Sequence, residues 1–247
     1  MSINPKYELS QKYHENTRKN TANTEFSTKP AFKIYPDSKV INLIKNEDVK
    51  LDKEKDSFLH TLLTRKSTRS FSTKGVSLEI LSSLLSISFG LKNSKKIFRT
   101  YPSAGGRYPV EVYVAVNNGV DIENGTYHYN ILHNKLELIN KKNPLEKIKY
   151  YYKSQNIENN FPILIIFSCI FERTMEKYGE RGYKYALLDM GHMGQNLYLT
   201  ATYLNMGVVA FGQSDFEDNV LDEFLNLKNG NEDVMYSFAV GYKNEVL

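Results

Sequence analysis

The chain has 247 residues and a mass of 28.5 kDa, with 41% hydrophobic and 24% charged residues. That is a globular balance with enough apolar material for a core, which excludes a wholly disordered chain, and no run of about 18 apolar residues is present to cross a membrane. The net charge of +4 is spread among interspersed acids and says little for a nucleic-acid partner, so none is expected, and the single cysteine, Cys169, can form neither an internal disulfide nor a thiolate metal cluster. Met1 to Ser10 is polar and lacks a signal-peptide core, so a reducing cytoplasm is the expected location. The 18 Tyr and 13 Phe suit partly wet clefts and interfaces, or reflect a compositional habit of the source genome.

Residues 1–55 are rich in Asn, Lys, Thr and Ser, show no sustained hydrophobic period, and carry Pro30 and Pro36, which interrupt any helix. They read as an N-terminal arm, either lying on a partner surface or mobile, ahead of a single domain over 56–247. Phe58, Leu59, Leu62 and Leu63 then give helical spacing. Ser77 is an N-cap for a helix carrying Leu78, Leu81, Leu84, Leu85 and Ile87, and Gly90 closes it. Pro109 opens the β-rich run 110–116, and alternation over 126–129 and 135–139 predicts a hairpin turning near Asn134. The run 163–167 is apolar throughout, as in a strand buried on both faces. The longest helical pattern covers 183–205, through Leu187, Leu188, Met190, Met193, Leu197, Leu199 and Leu204. A strand over 208–212, a short helix over 216–227 and a strand over 234–241 follow. Hairpin-paired strands among helices make the fold class α+β rather than doubly wound.

Several chemistries are absent from the motif record: there is no phosphate-cradling G-x-x-x-x-G-K-[ST], no G-x-G-x-x-G and no H-E-x-x-H. Cys169 follows an apolar strand and reads as a buried structural thiol. Three stretches carry positive signals. Arg65-x-Ser67-x-Arg69 brackets a hydroxyl with two forked cations, which makes either a compact anion site or a solvated basic turn. Tyr101-Pro102-Ser103-Ala104-Gly105-Gly106-Arg107-Tyr108-Pro109 is either a loop whose backbone approaches a flat ligand closely or a simple turn. Phe171 to Tyr185 sets a run of charges directly after a buried strand. There a lysine beside aromatic rings can become a base, unless the run is only an exposed helix start in which Glu172 and Glu176 pair with neighbouring cations. His192 reads as a ligand contact or as a satisfied buried histidine beside Asp189, and His128 and His133 as residues of a hairpin exterior or turn.

In this order the chain from Arg65 to Gly241 resembles the SagB-type (McbC-like) azoline dehydrogenases, a branch of the FMN-dependent nitroreductase superfamily. The resemblance rests on Arg65 to Phe71, Pro102 to Pro109, Phe171 to Tyr185 and Asp189-Met190-Gly191-His192-Met193-Gly194-Gln195-Asn196-Leu197. It implies a mainly antiparallel sheet flanked by helices, in an intertwined homodimer with FMN between subunits. Arg65, Ser67 and Arg69 match positions that contact the flavin phosphate and the ribityl or pyrimidine edge. Pro102, Ser103 and Ala104 match a loop reaching the flavin from the neighbouring subunit, Gly212 a turn near the flavin ring, and Lys243 a phosphate-binding cation.

Lys177-Tyr178 matches the branch's catalytic Lys-Tyr pair, with Lys184-Tyr185 a second such pair seven residues on. The implied activity is oxidation of thiazolines or oxazolines to thiazoles or oxazoles in a ribosomally made precursor peptide. A base takes the proton from the carbon beside carbonyl and imine, a hydride passes to the flavin, and dioxygen reoxidises the flavin. Free lysine titrates near 10.4, so Lys177 would need burial or cations such as Arg173 and Arg181 to act as that base. A cyclodehydratase or leader-binding adaptor is the implied protein partner. The alternatives are an NAD(P)H-dependent nitroreductase or flavin reductase on the same fold, and a non-catalytic subunit of a cyclodehydratase complex.

Overall fold

The computed structural model describes residues 32–44, 58–92, 97–148, 152–153, 156–157, 161–211, 215–227 and 232–244, together with Lys12. The elements in chain order are β1 (Val40–Asn42), α1 (Phe58–Thr64), α2 (Leu78–Phe89), β2 (Val110–Val116), β3 (Gly125–Asn130), β4 (Lys135–Asn140), β5 (Ile163–Cys169), α3 (Glu172–Tyr178), α4 (Arg181–Tyr203), β6 (Met206–Phe211), α5 (Asp215–Leu225) and β7 (Asp233–Tyr242). The strands form one sheet in the order β1-β4-β3-β2-β5-β7-β6, every neighbouring pair antiparallel. The fold is therefore the α+β arrangement the hairpin signals predict.

Local chemistry accounts for the element ends. Ser77 Oγ accepts from the Ile80 N–H at 3.3 Å and starts α2, and the Gly90 N–H donates back to the Ser86 carbonyl at its end. Asn134, at φ 50°, turns the β3–β4 hairpin, and its side chain accepts from the Tyr129 hydroxyl at 2.8 Å. β1 escaped the sequence reading because Val-Ile-Asn is too short to show a period; its pairing with β4 defines it. Of the expected arm, residues 32–44 lie along the sheet of their own chain, and the rest falls outside the described residues apart from Lys12.

Alternation along the central strands sends side chains to two different cores. Val110, Val112, Val114, Ile163, Ile165 and Phe167 pack under α2 and α4 with Leu81, Leu84, Met193 and Leu197. Ala115, Leu164, Ile166 and Val209 face the other way, toward Leu145, Tyr152, Phe161 and Leu221. Each Val, Leu, Ile, Phe or Met side chain among these, once buried, contributes about 1.5–3 kcal/mol. Cys169 is fully buried, and burial pushes its thiol well above the usual range.

The second face also carries charge. His128, expected on a hairpin exterior, is wholly buried. Its Nδ1 lies 3.0 Å from a Glu137 oxygen and its Nε2 lies 2.9 Å from a Glu111 oxygen, so the ring bridges two carboxylates on neighbouring strands. Arg173 closes one end of this row on Glu111. At the other end, Glu137 accepts from the Tyr35 N–H at 2.9 Å and the Asn130 amide at 2.6 Å. Beside the row, Lys33 pairs with Glu232, which also accepts from the Tyr113 hydroxyl at 2.8 Å and the Ser168 hydroxyl at 2.6 Å. The sequence reading missed the row because alternation predicts which face a residue takes, and not whether another segment covers that face.

The titration of this row has a defined sign. Burial would raise the Glu111 pKa, but the bond from His128 and the charge of Arg173 win and hold it at about 2. Burial would lower that of His128, yet its bonds to Glu111 and Glu137 win and raise it. The Glu111 contribution is thus full above its ordinary 4.5 and lost as pH falls toward about 2. The His128 contribution is full below its ordinary 6.5 and lost as pH rises through the raised value. Thermal midpoints measured against pH should peak between these ranges and decline on the alkaline side. His128→Leu should cost about 3–5 kcal/mol by removing the cation that bridges Glu111 and Glu137, which leaves Glu137 with neutral donors and Glu111 with Arg173, and should weaken the alkaline decline.

Candidate functional site

Antiparallel pairing of β2 with β5 brings two of the motifs together. β2 is preceded by the Pro102–Pro109 loop and β5 is followed by α3, and their register sets Val110 opposite Cys169. The Ile170 N–H donates to the Pro109 carbonyl at 2.8 Å, so loop and helix leave the same end of the sheet. Arg107 then ties them. Its Nε donates to the Arg173 carbonyl at 2.6 Å, its Nη2 pairs with Glu176, and Arg173 Nη1 returns a bond to the Tyr108 carbonyl at 3.2 Å.

Lys177 and Tyr178, at the end of α3, rest on Gly105. That residue has φ 59°, and a Cβ on it would meet Tyr178 Oη at 2.5 Å and Lys177 Nζ at 2.7 Å. Its left-handed backbone favours glycine, and a side chain there would push the tips of Lys177 and Tyr178 aside. Tyr185 from α4 packs edge-on against Tyr178, ring centroids 5.0 Å apart, while Lys184 is exposed. The second Lys-Tyr pair thus supplies an aromatic support and no lysine at this point. Arg173, expected to act on Lys177 as a free cation, has its guanidinium neutralised by Glu111.

The angle between α3 and α4 aims the pair. A Cβ on Gly182 would fall 2.6 Å from the Cα and backbone N of Met175, so the two helices touch through backbone. Further along α4, Asp189 is buried: one carboxylate oxygen accepts from the Ser103 hydroxyl and the other from the Ala104 N–H at 3.2 Å. His192 is exposed, so neither the buried-histidine reading nor any covered contact applies to it within this chain.

The other cations gather elsewhere. The 65–72 segment crosses the ends of β6 and β7: the Thr68 N–H donates to the Val208 carbonyl and the Ser72 N–H to the Tyr242 carbonyl, each at 2.9 Å, and Phe71 bridges Lys243. Tyr198 of α4 organises this region. Its hydroxyl accepts from the Ala210 N–H at 2.9 Å and lies 3.4 Å from Ser67 Oγ, and its ring sits 5.1 Å from the Arg65 guanidinium. Burial, with the charge of Lys66, lowers the Lys243 pKa. Among the described residues no carboxylate pairs with Arg65, Lys66, Arg69 or Lys243. Tyr198 had no signal in the sequence beyond its place just after the fourth motif. Gly212 lies outside the described residues.

Within one chain the two groups stay apart. Lys243 follows the end of β7 that pairs with Ile163, and α3 follows Cys169 at the far end of the seven-residue β5. At about 3.4 Å per residue, roughly 20 Å of strand separates them. Among the described residues no group of three or more His, Cys, Asp or Glu could hold a metal, and no helix is long and apolar enough to cross a membrane.

The family match gives the class of this α+β fold, an oxidoreductase of the nitroreductase type. The chain belongs to the nitroreductase family, which it matches over residues 62–242. It is 33% identical over 192 residues to a candidate nitroreductase of Methanocaldococcus jannaschii, MJ1384, covering 78% of this chain and 92% of that protein. Within the family it falls in the McbC-like branch. It is 29% identical over 178 residues to the trifolitoxin-processing protein TfxB of Rhizobium leguminosarum bv. trifolii, covering 67% of this chain and 47% of TfxB. It is also 29% identical over 136 residues to the microcin B17-processing protein McbC of Escherichia coli, covering 53% of this chain and 50% of McbC. The chain spans about half the length of these two processing proteins. Solved structures share the fold. A candidate nitroreductase of Anabaena variabilis has a TM-score of 0.78 at 23% identity, covering 99% of this chain and 49% of that one. A chain of the E. coli microcin synthetase McbBCD complex has a TM-score of 0.65 at 21% identity, covering 98% of this chain and 95% of that one.

The α3–α4 contact gives a direct test. Gly182→Ala drives a methyl into the Met175 backbone, which cannot rotate away, so chemical denaturation should show a loss of about 1–3 kcal/mol, the usual cost of overpacking.

Proposed function

We propose that this chain is an FMN-dependent azoline dehydrogenase, which oxidises thiazoline or oxazoline rings of a modified precursor peptide to thiazoles or oxazoles. The observation that carries the reading is the seating of Lys177 and Tyr178 on Gly105, where two motifs far apart in sequence form one polar corner. The likeness to the two processing proteins points the same way. By the same analogy a cyclodehydratase or leader-binding adaptor delivers the peptide.

The cation cluster fits the phosphate end of such a cofactor. Arg65, Arg69 and Lys243 lack carboxylate partners among the described residues, and Ser67 offers an exposed hydroxyl beside them. These residues would hold the phosphate, and Pro102, Ser103 and Ala104 would face the ring. FMN when bound accepts a hydride from the substrate ring. Lys177, when neutral, takes the proton from the ring carbon beside the carbonyl and imine, and Tyr178 orients or relays that proton.

The 20 Å separation within one chain favours a site shared between two copies, with the loop of one meeting the cations of the other. The surface has apolar area to bury: Phe58 is 70% exposed and Leu63 74% on α1, and Leu187 and Leu188 lie exposed on α4 beside the open Gly191. Sedimentation at twice the chain mass is expected, and a monomer with full activity would refute the shared site.

A second reading is a conventional NAD(P)H-dependent nitroreductase, favoured by the 33% identity to MJ1384 over most of that protein. Rapid bleaching of bound flavin by NAD(P)H at catalytic rates would select it.

Two mutant series test the leading reading. Arg65→Ala and Arg69→Ala should each purify folded but with less FMN, since each removes a charge-assisted bond worth about 1.5–3 kcal/mol. Full flavin in both would remove the anion site. Lys177→Ala should keep its flavin yet lose about 10²–10⁴-fold in azoline oxidation, read as two hydrogens lost per ring by mass spectrometry. Lys177→Arg should not rescue it, because a guanidinium keeps its proton. Tyr178→Phe should fall between, and Lys184→Ala should be mild. A dead Lys184→Ala beside an active Lys177→Ala would transfer the role to the later pair.

A further inference from the structure

Asp189 has no part in the chemistry proposed above, yet it is a buried carboxylate bonded directly to the loop. Its residue is 3% exposed, and among the described residues no lysine or arginine pairs with it. A buried carboxylate without a cation is costly unless its oxygens are bonded. Both are: one accepts from the Ser103 hydroxyl, the other from the Ala104 N–H at 3.2 Å. Ser103 Oγ itself accepts from the Tyr108 N–H at 2.8 Å, and its single proton goes to Asp189. The polarity of the chain is therefore set, with Asp189 as an acceptor only.

The next residue, Gly105, is the floor on which Lys177 Nζ and Tyr178 Oη rest. The loop is thus held from α4 on one side and bears the Lys-Tyr pair of α3 on the other. We propose that Asp189 is a positioning residue which, through Ser103 and Ala104, fixes the Pro102–Arg107 loop and so seats Lys177 and Tyr178. The catalytic consequence rests on the dehydrogenase reading; the control of the loop does not.

The test compares Asp189→Asn, Ser103→Ala and Ser103→Thr in the full flavin-loaded chain with wild type. Asparagine keeps the shape and can still accept from the Ala104 N–H, but its amide would present N–H groups to the Ser103 proton. Two quantities are read: amide hydrogen exchange in peptides covering 103–108 and 172–178, and kcat and KM for a thiazoline-bearing peptide at equal flavin occupancy. In Asp189→Asn, exchange at 103–108 should rise and kcat fall by about 10-fold, the weight of one hydrogen bond to a charged group, with KM little changed. Ser103→Ala should reproduce this from the loop side should Asp189→Asn fail to fold, and Ser103→Thr, which keeps the hydroxyl, should restore both. Wild-type exchange in Asp189→Asn or Ser103→Ala would overturn the proposal, as would faster exchange with undiminished kcat. A wild type that oxidises no azoline would refute the dehydrogenase reading alone, and the exchange data would then decide the role of Asp189.

Discussion

Glu111 is a carboxylate in the middle of a sheet, and much of the molecule answers to its burial. A charge on an interior strand is tolerated only when opposite charges and donors surround it. Here Arg173 comes from the start of α3 and His128 from β3, and His128 in turn needs Glu137 on β4. Glu137 then binds the backbone of Tyr35, so the N-terminal segment is drawn onto the sheet as well. Register is part of the same constraint. His128 stands directly opposite Glu137, and a slip of one residue would turn it into the leucine-rich core under α2 and α4. One buried carboxylate thus couples strand register, the cover of the second face and the root of the helix that carries Lys177.

From that root the site end of the sheet is built by short connections. α3 has seven residues, too few to be stable as an isolated helix, and it is held by partners: Arg107 on its carbonyl and on Glu176, and α4 through the contact at Gly182. Its last two residues then have little choice of direction. The loop they meet is fixed from α4 by Asp189. Loop, short helix and long helix meet in one corner that carries the Lys177 and Tyr178 side chains.

The opposite end of the sheet is organised by different means. There the 65–72 segment is strapped over β6 and β7 by backbone bonds, and among the described residues no carboxylate pairs with its Arg65, Lys66 and Arg69. Like charges gathered without carboxylates repel one another, which is a standing cost that a bound phosphate would remove. Antiparallel pairing sets this cluster at the far end of the same strands from the Lys-Tyr corner.

Much of this was legible in the residues themselves. The N-cap at Ser77, the turn at Asn134, the apolar run of β5 and the long period of α4 are short-range features, and local chemistry is enough to specify them. The motif stretches from Arg65, Pro102 and Phe171 stood out for the same reason, since each is contiguous. What tertiary structure decided was every relation across distance. It turned the expected exterior histidine at 128 into a buried bridge, and of the two readings of His192 it removed the buried one by leaving that residue exposed. It made Asp189 and Tyr198 organisers of two loops, and placed Lys177 rather than Lys184 at Gly105. It also revealed a strand at 40–42 that exists only through its partner. The reason is common to all of them: a period states which side of an element a residue takes, whereas what waits on that side depends on strand order and pairing between segments some eighty residues apart, such as Ser103 and Asp189.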